Sequence, residues 1–218
     1  MEQHFNTPAE VIDTNMKAGE GKAHLPLGKM ILLGIMAGAF IALGGATSST
    51  AAHAIDNVGL ARFVAGFIFP VGLMFIVFVG GELFTGNCLI VMDVVGKKVT
   101  WFECIRNLIV VYFSNLIGAL IIDTLIYFSG NLDYTGGLLG AYAIKVAVGK
   151  VGISPLKGIT SGILCNILVC IAIWCGTKMK SEGAKMFMNF CCVGTFVTCG
   201  FEHSIANMTL LSIGLMYP

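Results

Sequence analysis

The segments Gly80-Gly81-Glu82-Leu83-Phe84-Thr85-Gly86-Asn87 and Gly200-Phe201-Glu202-His203-Ser204-Ile205-Ala206-Asn207 follow one pattern, Gly-x-Glu-x-x-x-x-Asn, and both interrupt long apolar runs. In a membrane, a carboxylate and an irregular backbone are tolerated only where they are buried in protein or line a cavity. Matching interruptions in the two halves of a chain point to a binding site between discontinuous helices. The two segments therefore predict two broken helices that meet near the middle of a bilayer.

The composition is that of an integral membrane protein. Of the 218 residues, 56% are hydrophobic and only 11% are charged, and the mean hydropathy is +0.88, whereas a soluble domain has about 25% charged residues. A net charge of +1 without a basic cluster gives no reason to expect a nucleic-acid partner. The eight cysteines include no Cys-x-x-Cys pair, so we interpret them as small packing residues and predict no metal and no cofactor.

Apolar runs close to the length that crosses a bilayer, about 20 residues, predict five spans. They are TM1 at 30–52, TM2 at 60–79 with a short second piece at 87–95, TM3 at 102–128, TM4 at 157–177 and TM5 at 184–202. We therefore predict an all-α membrane protein with a single transmembrane domain, 29–218, in which TM2 and TM5 are broken. The apolar stretch 208–216 is about half a span long and predicts either a half-length last helix or the start of a sixth span.

A short helix is predicted before the first span, at about residues 7–20. Its start, Thr7-Pro8-Ala9-Glu10, has the form of a capping box with proline at the first helical position. Ala9, Ile12 and Met16 would share one apolar face, so we expect this helix to lie at the membrane interface.

The distribution of Lys and Arg predicts the orientation. With the N-terminal segment, 1–28, in the cytoplasm, nine Lys and Arg lie on the inner side and four on the outer side. We therefore predict a multi-pass protein of a bacterial cytoplasmic (inner) membrane with its N-terminus in the cytoplasm. The predicted long external loop, 129–156, carries Lys145 and Lys150.

A second pattern, Gly-Ile-x-x-Gly, also occurs twice, as Gly34-Ile35-Met36-Ala37-Gly38 in TM1 and Gly158-Ile159-Thr160-Ser161-Gly162 in TM4. Each copy precedes one of the breaks, so both halves contain a Gly-rich span followed by a broken span. Because the first unit has an odd number of spans, the second unit would be inverted. We predict repeat 1 at about 29–128 and repeat 2 at about 155–218, although short Gly patterns also arise by chance in Gly-rich membrane helices.

The glutamates of the two breaks admit two interpretations. Glu82 and Glu202 could relay protons or bind a substrate, or they could cap free backbone N–H groups of the broken helices. Their recurrence favours the structural interpretation, because a structural need would recur in both halves. His203 differs, since it aligns with Leu83 and is the only histidine within a predicted span. A histidine beside a helix break at membrane depth favours a functional role, because imidazole can give a hydrogen bond or a proton to a small anion.

Three phenylalanines, Phe69, Phe84 and Phe196, lie close to the breaks in sequence. Most aromatic side chains in helices are core residues. Near a pore, however, they can form apolar constrictions that exclude hydrated ions.

Three motifs of the chain resemble those of the formate/nitrite transporter family. They are Gly81-Glu82-Leu83-Phe84-Thr85-Gly86-Asn87, Gly162-Ile163-Leu164-Cys165-Asn166-Ile167-Leu168-Val169-Cys170 and Gly200-Phe201-Glu202-His203-Ser204-Ile205-Ala206-Asn207-Met208. The resemblance covers nearly the whole chain and is closest to the clostridial, hydrosulfide-conducting branch of the family. It implies an aquaporin-like fold with six spans. This chain ends where the sixth span would begin. The resemblance also implies a homopentamer with one pore in each protomer and no enzymatic activity.

The resemblance further implies roles for single residues. Leu83 would form a gate in the loop of broken TM2, and Thr85 would face the central His203. The residues implied to line the pore and its constrictions also include Phe69, Phe84, Phe196 and Val169. Those implied to form a structural polar centre are Glu82, Asn87, Asn166, Glu202 and Asn207. Lys150 would attract anions into the outer vestibule.

Together these expectations describe a selective channel for small monovalent anions, embedded in membrane lipid. Hydrosulfide is the permeant that the resemblance implies, with formate and nitrite as related permeants, and a formate or nitrite channel is the alternative. Two other classes stay open. One is a cation transporter with Glu82 and Glu202 as ligands; the other is a membrane enzyme, for which no nucleophile–base spacing stands out.

Overall fold

The computed structural model describes residues 5–217, and within this range the secondary structure is helical, with no strand. The helices are α1 (Pro8–Ala23), α2 (Leu27–Ala52), α3 (Val58–Ile68), α4 (Val71–Val79), α5 (Phe84–Asn87), α6 (Val91–Val95), α7 (Trp101–Phe128), α8 (Leu138–Val151), α9 (Pro155–Lys178), α10 (Glu182–Cys199) and α11 (Ser204–Met216). Four segments of the described chain are long and apolar enough to cross a membrane, and a bent pair forms a fifth. The prediction of an all-α membrane protein is confirmed.

Both broken helices are present. The first runs through α3 and α4, breaks at residues 80–83 and continues as α5, a 3₁₀ turn and α6. The second consists of α10 and α11, which meet at an angle of 53° across residues 200–203. A glycine with positive φ begins each break, Gly80 at 104° and Gly200 at 72°, a conformation that other residues rarely adopt. We call residues 80–83 the first break and residues 200–203 the second break.

The second break lies earlier in the chain than the predicted end of TM5, because α10 ends at Cys199 and not at residue 202. The stretch 208–216 is part of α11, the second half of the broken helix. The stretch therefore belongs to the same broken helix as α10 and does not open a separate span.

Helix α2 packs closely against α7, and glycines make the close approach possible. A Cβ on Gly38 would lie 2.6 Å from the carbonyl carbon of Asn115, and one on Gly118 would lie 2.8 Å from the carbonyl carbon of Ile35. Only glycine fits such backbone contacts, which are typical of membrane helices. The contact holds Asn115 beside the first break.

Helix α1 forms as predicted, and one of its faces packs against the rest of the protein. Its capping box is present: the Thr7 backbone N–H donates to Glu10 Oε2 at 2.7 Å, and the Glu10 N–H donates to Thr7 Oγ1 at 3.3 Å. Ala9 and Ile12 of the predicted apolar face are exposed. The residues buried against the other helices are Val11, Asn15, Gly19 and Ala23. The placement of Ala9, Ile12 and Met16 at the membrane interface stays a prediction. On the buried face, the Asn15 amide donates to Thr177 Oγ1 at 2.7 Å.

Helix α8 was not predicted. It lies in the segment 129–156, which was expected to be a loop, and it packs mainly on α11. Its buried residues, Leu139, Gly140, Ala143 and Ala147, repeat at helical spacing and could have revealed it. The helix matters because Lys150 lies in its last turn.

Candidate functional site

At the first break, a lysine from α1 neutralises the glutamate. Lys22 Nζ lies 3.2 Å from Glu82 Oε2 and 2.8 Å from Asn87 Oδ1. The Asn87 amide donates to the same Glu82 oxygen at 2.7 Å. The Glu82 side chain is only 8% exposed, so without these partners its charge would be costly.

The second break repeats this arrangement. Lys150 Nζ donates to Glu202 Oε2 at 2.7 Å, and the Asn207 amide donates to the same oxygen at 2.8 Å. Lys150 and Glu202 have side chains that are 16% and 15% exposed. In both halves, therefore, one oxygen of the glutamate in the Gly-x-Glu-x-x-x-x-Asn pattern accepts hydrogen bonds from a lysine and from the asparagine five residues later.

The asparagine Asn115 of α7 fixes the backbone of the first break. Its amide donates to the carbonyl oxygens of Gly34, at 2.7 Å, and Glu82, at 2.9 Å. Its Oδ1 accepts the backbone N–H of Phe84 at 3.0 Å. Two backbone groups freed by the break, the Glu82 carbonyl and the Phe84 N–H, thus find partners, as a non-helical backbone at membrane depth requires. At the second break, Ser161 Oγ accepts the Glu202 N–H at 3.0 Å.

His203 and Thr85 meet between the two breaks. His203 Nε2 lies 3.1 Å from Thr85 Oγ1, and both residues are 4% exposed. The other ring nitrogen, Nδ1, accepts the backbone N–H of Ala206 at 3.0 Å, so that His203 caps α11. Because Nδ1 accepts, the neutral ring carries its proton on Nε2, which points to Thr85. Leu83 occupies the corresponding capping position before α5 without a side-chain bond.

Apolar side chains surround this polar pair. The Phe196 ring stacks on His203 with centroids 5.4 Å apart, and Phe69 meets Phe196 edge-on at 6.1 Å. Leu83 and Val169 are buried in the same cluster, and Phe84 packs against it at its edge. The arrangement is therefore one donor pair in an apolar wall, with a lysine–glutamate pair at each break.

Comparisons with known proteins identify the family of this chain. Residues 9–218 match the model of the family described as "Formate/nitrite transporter". The chain belongs to the formate/nitrite transporter family.

Relatives and solved structures place the chain within this family. It is 36% identical over 212 residues to the "Formate channel FocA" of Haemophilus influenzae, covering 96% of this chain and 75% of the relative. It is 31% identical over 233 residues to the "Probable formate transporter" of Methanothermobacter thermautotrophicus, covering 99% and 85%. The structure titled "Pentameric formate channel with formate bound" superposes with a TM-score of 0.81 at 34% identity, over 87% of this chain and 75% of that one. The "FNT family ion channel" reaches a TM-score of 0.87 at 26% identity, over 95% and 84%.

Asn166 does not join the polar group that the family resemblance implied for it. Its amide donates to Cys170 Sγ at 3.8 Å, one turn along α9, and its Oδ1 is buried without a partner among residues 5–217. The remaining polar residues implied by the resemblance, Glu82, Asn87, Glu202 and Asn207, all lie in the two lysine–glutamate groups.

Sequence reasoning missed four residues of the site. Lys22 was assigned only to the N-terminal segment, and nothing local in the sequence connects it with Glu82. Asn107 and Asn115 interrupt the apolar run of TM3, a signal that could have revealed them; the Asn87 amide donates to Asn107 Oδ1 at 2.9 Å. Leu73 lies one turn beyond Phe69 and is 4% exposed in the same apolar cluster.

Metal binding finds no support in the described residues. Within residues 5–217, no group of three or more His, Cys, Asp and Glu is placed to hold a metal ion. All eight cysteines are unpaired.

Proposed function

We propose that this member of the formate/nitrite transporter family is a selective channel for small monovalent anions, with formate as its main permeant and nitrite as a related one. The observation that carries the proposal is the His203–Thr85 pair, 3.1 Å apart and enclosed by apolar side chains. Nε2–H and the Thr85 hydroxyl are two donors that a small anion can use after it has shed its water. Larger or multiply charged ions would lose more hydration than this pair returns.

The substrate follows from the named relatives more than from the resemblance in the motifs. The two relatives and one of the two structures cited above are named for formate. Hydrosulfide, which the motif resemblance implied, has the same charge and a similar size, so it belongs to the tests. By the same likeness we propose a homopentamer with one pore in each protomer.

In the proposed mechanism, the anion meets a lysine before it meets the apolar wall. Lys150 would draw the anion toward the constriction formed by Phe69, Phe196 and Leu83. His203 would then donate a hydrogen bond to the anion, or lend a proton so that a neutral acid crosses the apolar slit. At the first break, Lys22 would have the role that Lys150 has at the second break. In the predicted orientation, Lys22 lies on the cytoplasmic side of a bacterial inner membrane.

The test is anion flux through proteoliposomes with formate, nitrite and hydrosulfide compared side by side. Replacing His203 with Phe, which removes the Nε2–H donor, should reduce formate flux about tenfold or more, the effect of a lost buried hydrogen bond of 1–3 kcal/mol. The matched control is His24→Phe, since His24 is exposed at the end of α1. Formate flux that is equal in both variants and in the unmodified protein would refute the role of His203.

The cation-transporter alternative is less favoured by the geometry. A cation ligand needs a free carboxylate, whereas Glu82 and Glu202 each accept a lysine within 3.2 Å. A reversal potential that follows the cation gradient in planar bilayers would nevertheless favour the alternative over the anion channel.

A further inference from the structure

The arginine Arg62 lies on the face of α3 that points to the second broken helix. Arg62, Gly66 and Phe69 are spaced i, i+4 and i+7, so they share one face of the helix. Gly66 makes the contact with α10, because a Cβ there would lie 2.8 Å from the carbonyl oxygen of Gly194. Phe69, at the other end of this face, packs against Phe196. The face therefore leads from Arg62 to the apolar constriction.

The guanidinium of Arg62 rests on Gly200, the first residue of the second break. A Cβ on Gly200 would overlap Nη1 and would lie 3.1 Å from Cζ and 3.3 Å from Nη2. Gly200 ends α10, and the carbonyl end of a helix favours a positive charge. Arg62 is thus positioned two residues from Glu202 without bonding to it.

No carboxylate neutralises Arg62. The ion pairs among residues 5–217 include Lys150 with Glu202 and Lys22 with Glu82, but none includes Arg62. Arg62 also acts on α8: burial raises the pKa of the Tyr142 hydroxyl, and the charge of Arg62 opposes that rise. Around the second break, two cations therefore face one carboxylate, whereas Lys22 and Glu82 balance at the first break.

We propose that Arg62 is a second anion-attracting residue at the mouth of the pore on the side of the second break. Its uncompensated charge, next to the neutral Lys150–Glu202 pair, draws small anions toward the Phe69–Phe196 constriction. The inference rests on the proposed anion-channel function and adds a residue that sets the rate of anion entry from one side. The inference assigns no new role to the His203–Thr85 pair.

The experiment measures initial formate uptake by proteoliposomes at a formate concentration far below saturation, for Arg62→Gln, Arg62→Lys and the control Lys145→Gln. Lys145 is exposed on the same helix as Lys150 but lies away from its buried face. At an ionic strength of about 0.01 M, where charges act over about 30 Å, Arg62→Gln should slow uptake about two- to fivefold, the effect of one charge acting over roughly 10 Å. Arg62→Lys should keep most of the uptake, and Lys145→Gln should equal the unmodified protein.

Salt separates an electrostatic role from a structural one. At about 1 M ionic strength, where charges are screened beyond about 3 Å, Arg62→Gln should match the unmodified protein. Equal uptake at low salt, or a deficit that persists at high salt or in Arg62→Lys, would overturn the proposal. A protein that carries no formate at all, with Arg62 intact, would instead refute the proposed function.

Discussion

Lys150 and Glu202 form an ion pair of 2.7 Å between the last turn of α8 and the second break. The corresponding pair at the first break, Lys22 and Glu82, joins α1 to the loop before α5. Neither lysine belongs to the broken helix that it neutralises. Each break is therefore held by a helix that lies outside the repeat pattern in sequence, so its polar groups depend on long-range packing.

The first prediction concerns the charge balance of the second break. Lys150→Gln leaves the Glu202 carboxylate with only the Asn207 amide and should destabilise the protein by about 2–4 kcal/mol, less than a fully buried pair because both side chains keep some solvent contact. Glu202→Gln in the same protein should restore most of the loss, since no uncompensated charge remains. Thermal unfolding in detergent gives the comparison.

If Lys150 served only to attract anions, the outcome would differ. Lys150→Gln would then lower formate flux without lowering the unfolding temperature, and the added Glu202→Gln would bring no recovery of stability. The same cycle with Lys22 and Glu82 should show a coupling of the same sign, because Lys22 and the Asn87 amide also share one Glu82 oxygen.

The second prediction tests the support of the first break. Asn115→Leu removes three hydrogen bonds and leaves the Glu82 carbonyl and the Phe84 N–H of the break without partners, so we expect a loss of about 2 kcal/mol or more and a loss of formate flux through the displaced Thr85. Its neighbour Ser114 bonds only to the Val110 carbonyl in its own helix. Ser114→Ala is the control and should change stability by less than about 1 kcal/mol. Retained stability and flux in Asn115→Leu would show that water molecules bond to the backbone groups of the break in place of Asn115.

The two breaks were predictable because their signals are local. Gly80, Glu82 and Asn87 stand together in an apolar run, and so do Gly200, Glu202 and Asn207. The partners of the glutamates were harder to predict from the sequence. A lysine in a polar N-terminal segment gives the same sequence pattern whether it bonds to Glu82 or to water. A role for Lys150 came only from the family resemblance, which implied attraction of anions and not an ion pair with Glu202.

The third prediction concerns the approach of α2 to α7. A Cβ on Gly38 would lie 2.6 Å from the Asn115 carbonyl carbon, and this backbone cannot move without shifting the first break. Gly38→Ala should therefore destabilise the protein by about 1–3 kcal/mol, as in other overpacked contacts. Gly28, in the first turn of the same helix, has nothing within 4 Å of such a Cβ. Gly28→Ala should be neutral or slightly stabilising, and equal effects of the two substitutions would contradict the assigned packing.

The fourth prediction concerns pH and the start of α1. The bonds from the Thr7 backbone and hydroxyl hold the pKa of Glu10 below its ordinary value of 4.5. A lowered pKa in the folded state means that the capping box stabilises α1 above about pH 4.5, and that this contribution is lost as the pH falls through the folded-state pKa. Amide hydrogen exchange in the first turn of α1, corrected for its intrinsic pH dependence, should therefore become less protected below that pH. Glu10→Gln, which cannot ionise, should show protection that does not change over this pH range, whereas a pH response that persists in Glu10→Gln would assign the effect to another group.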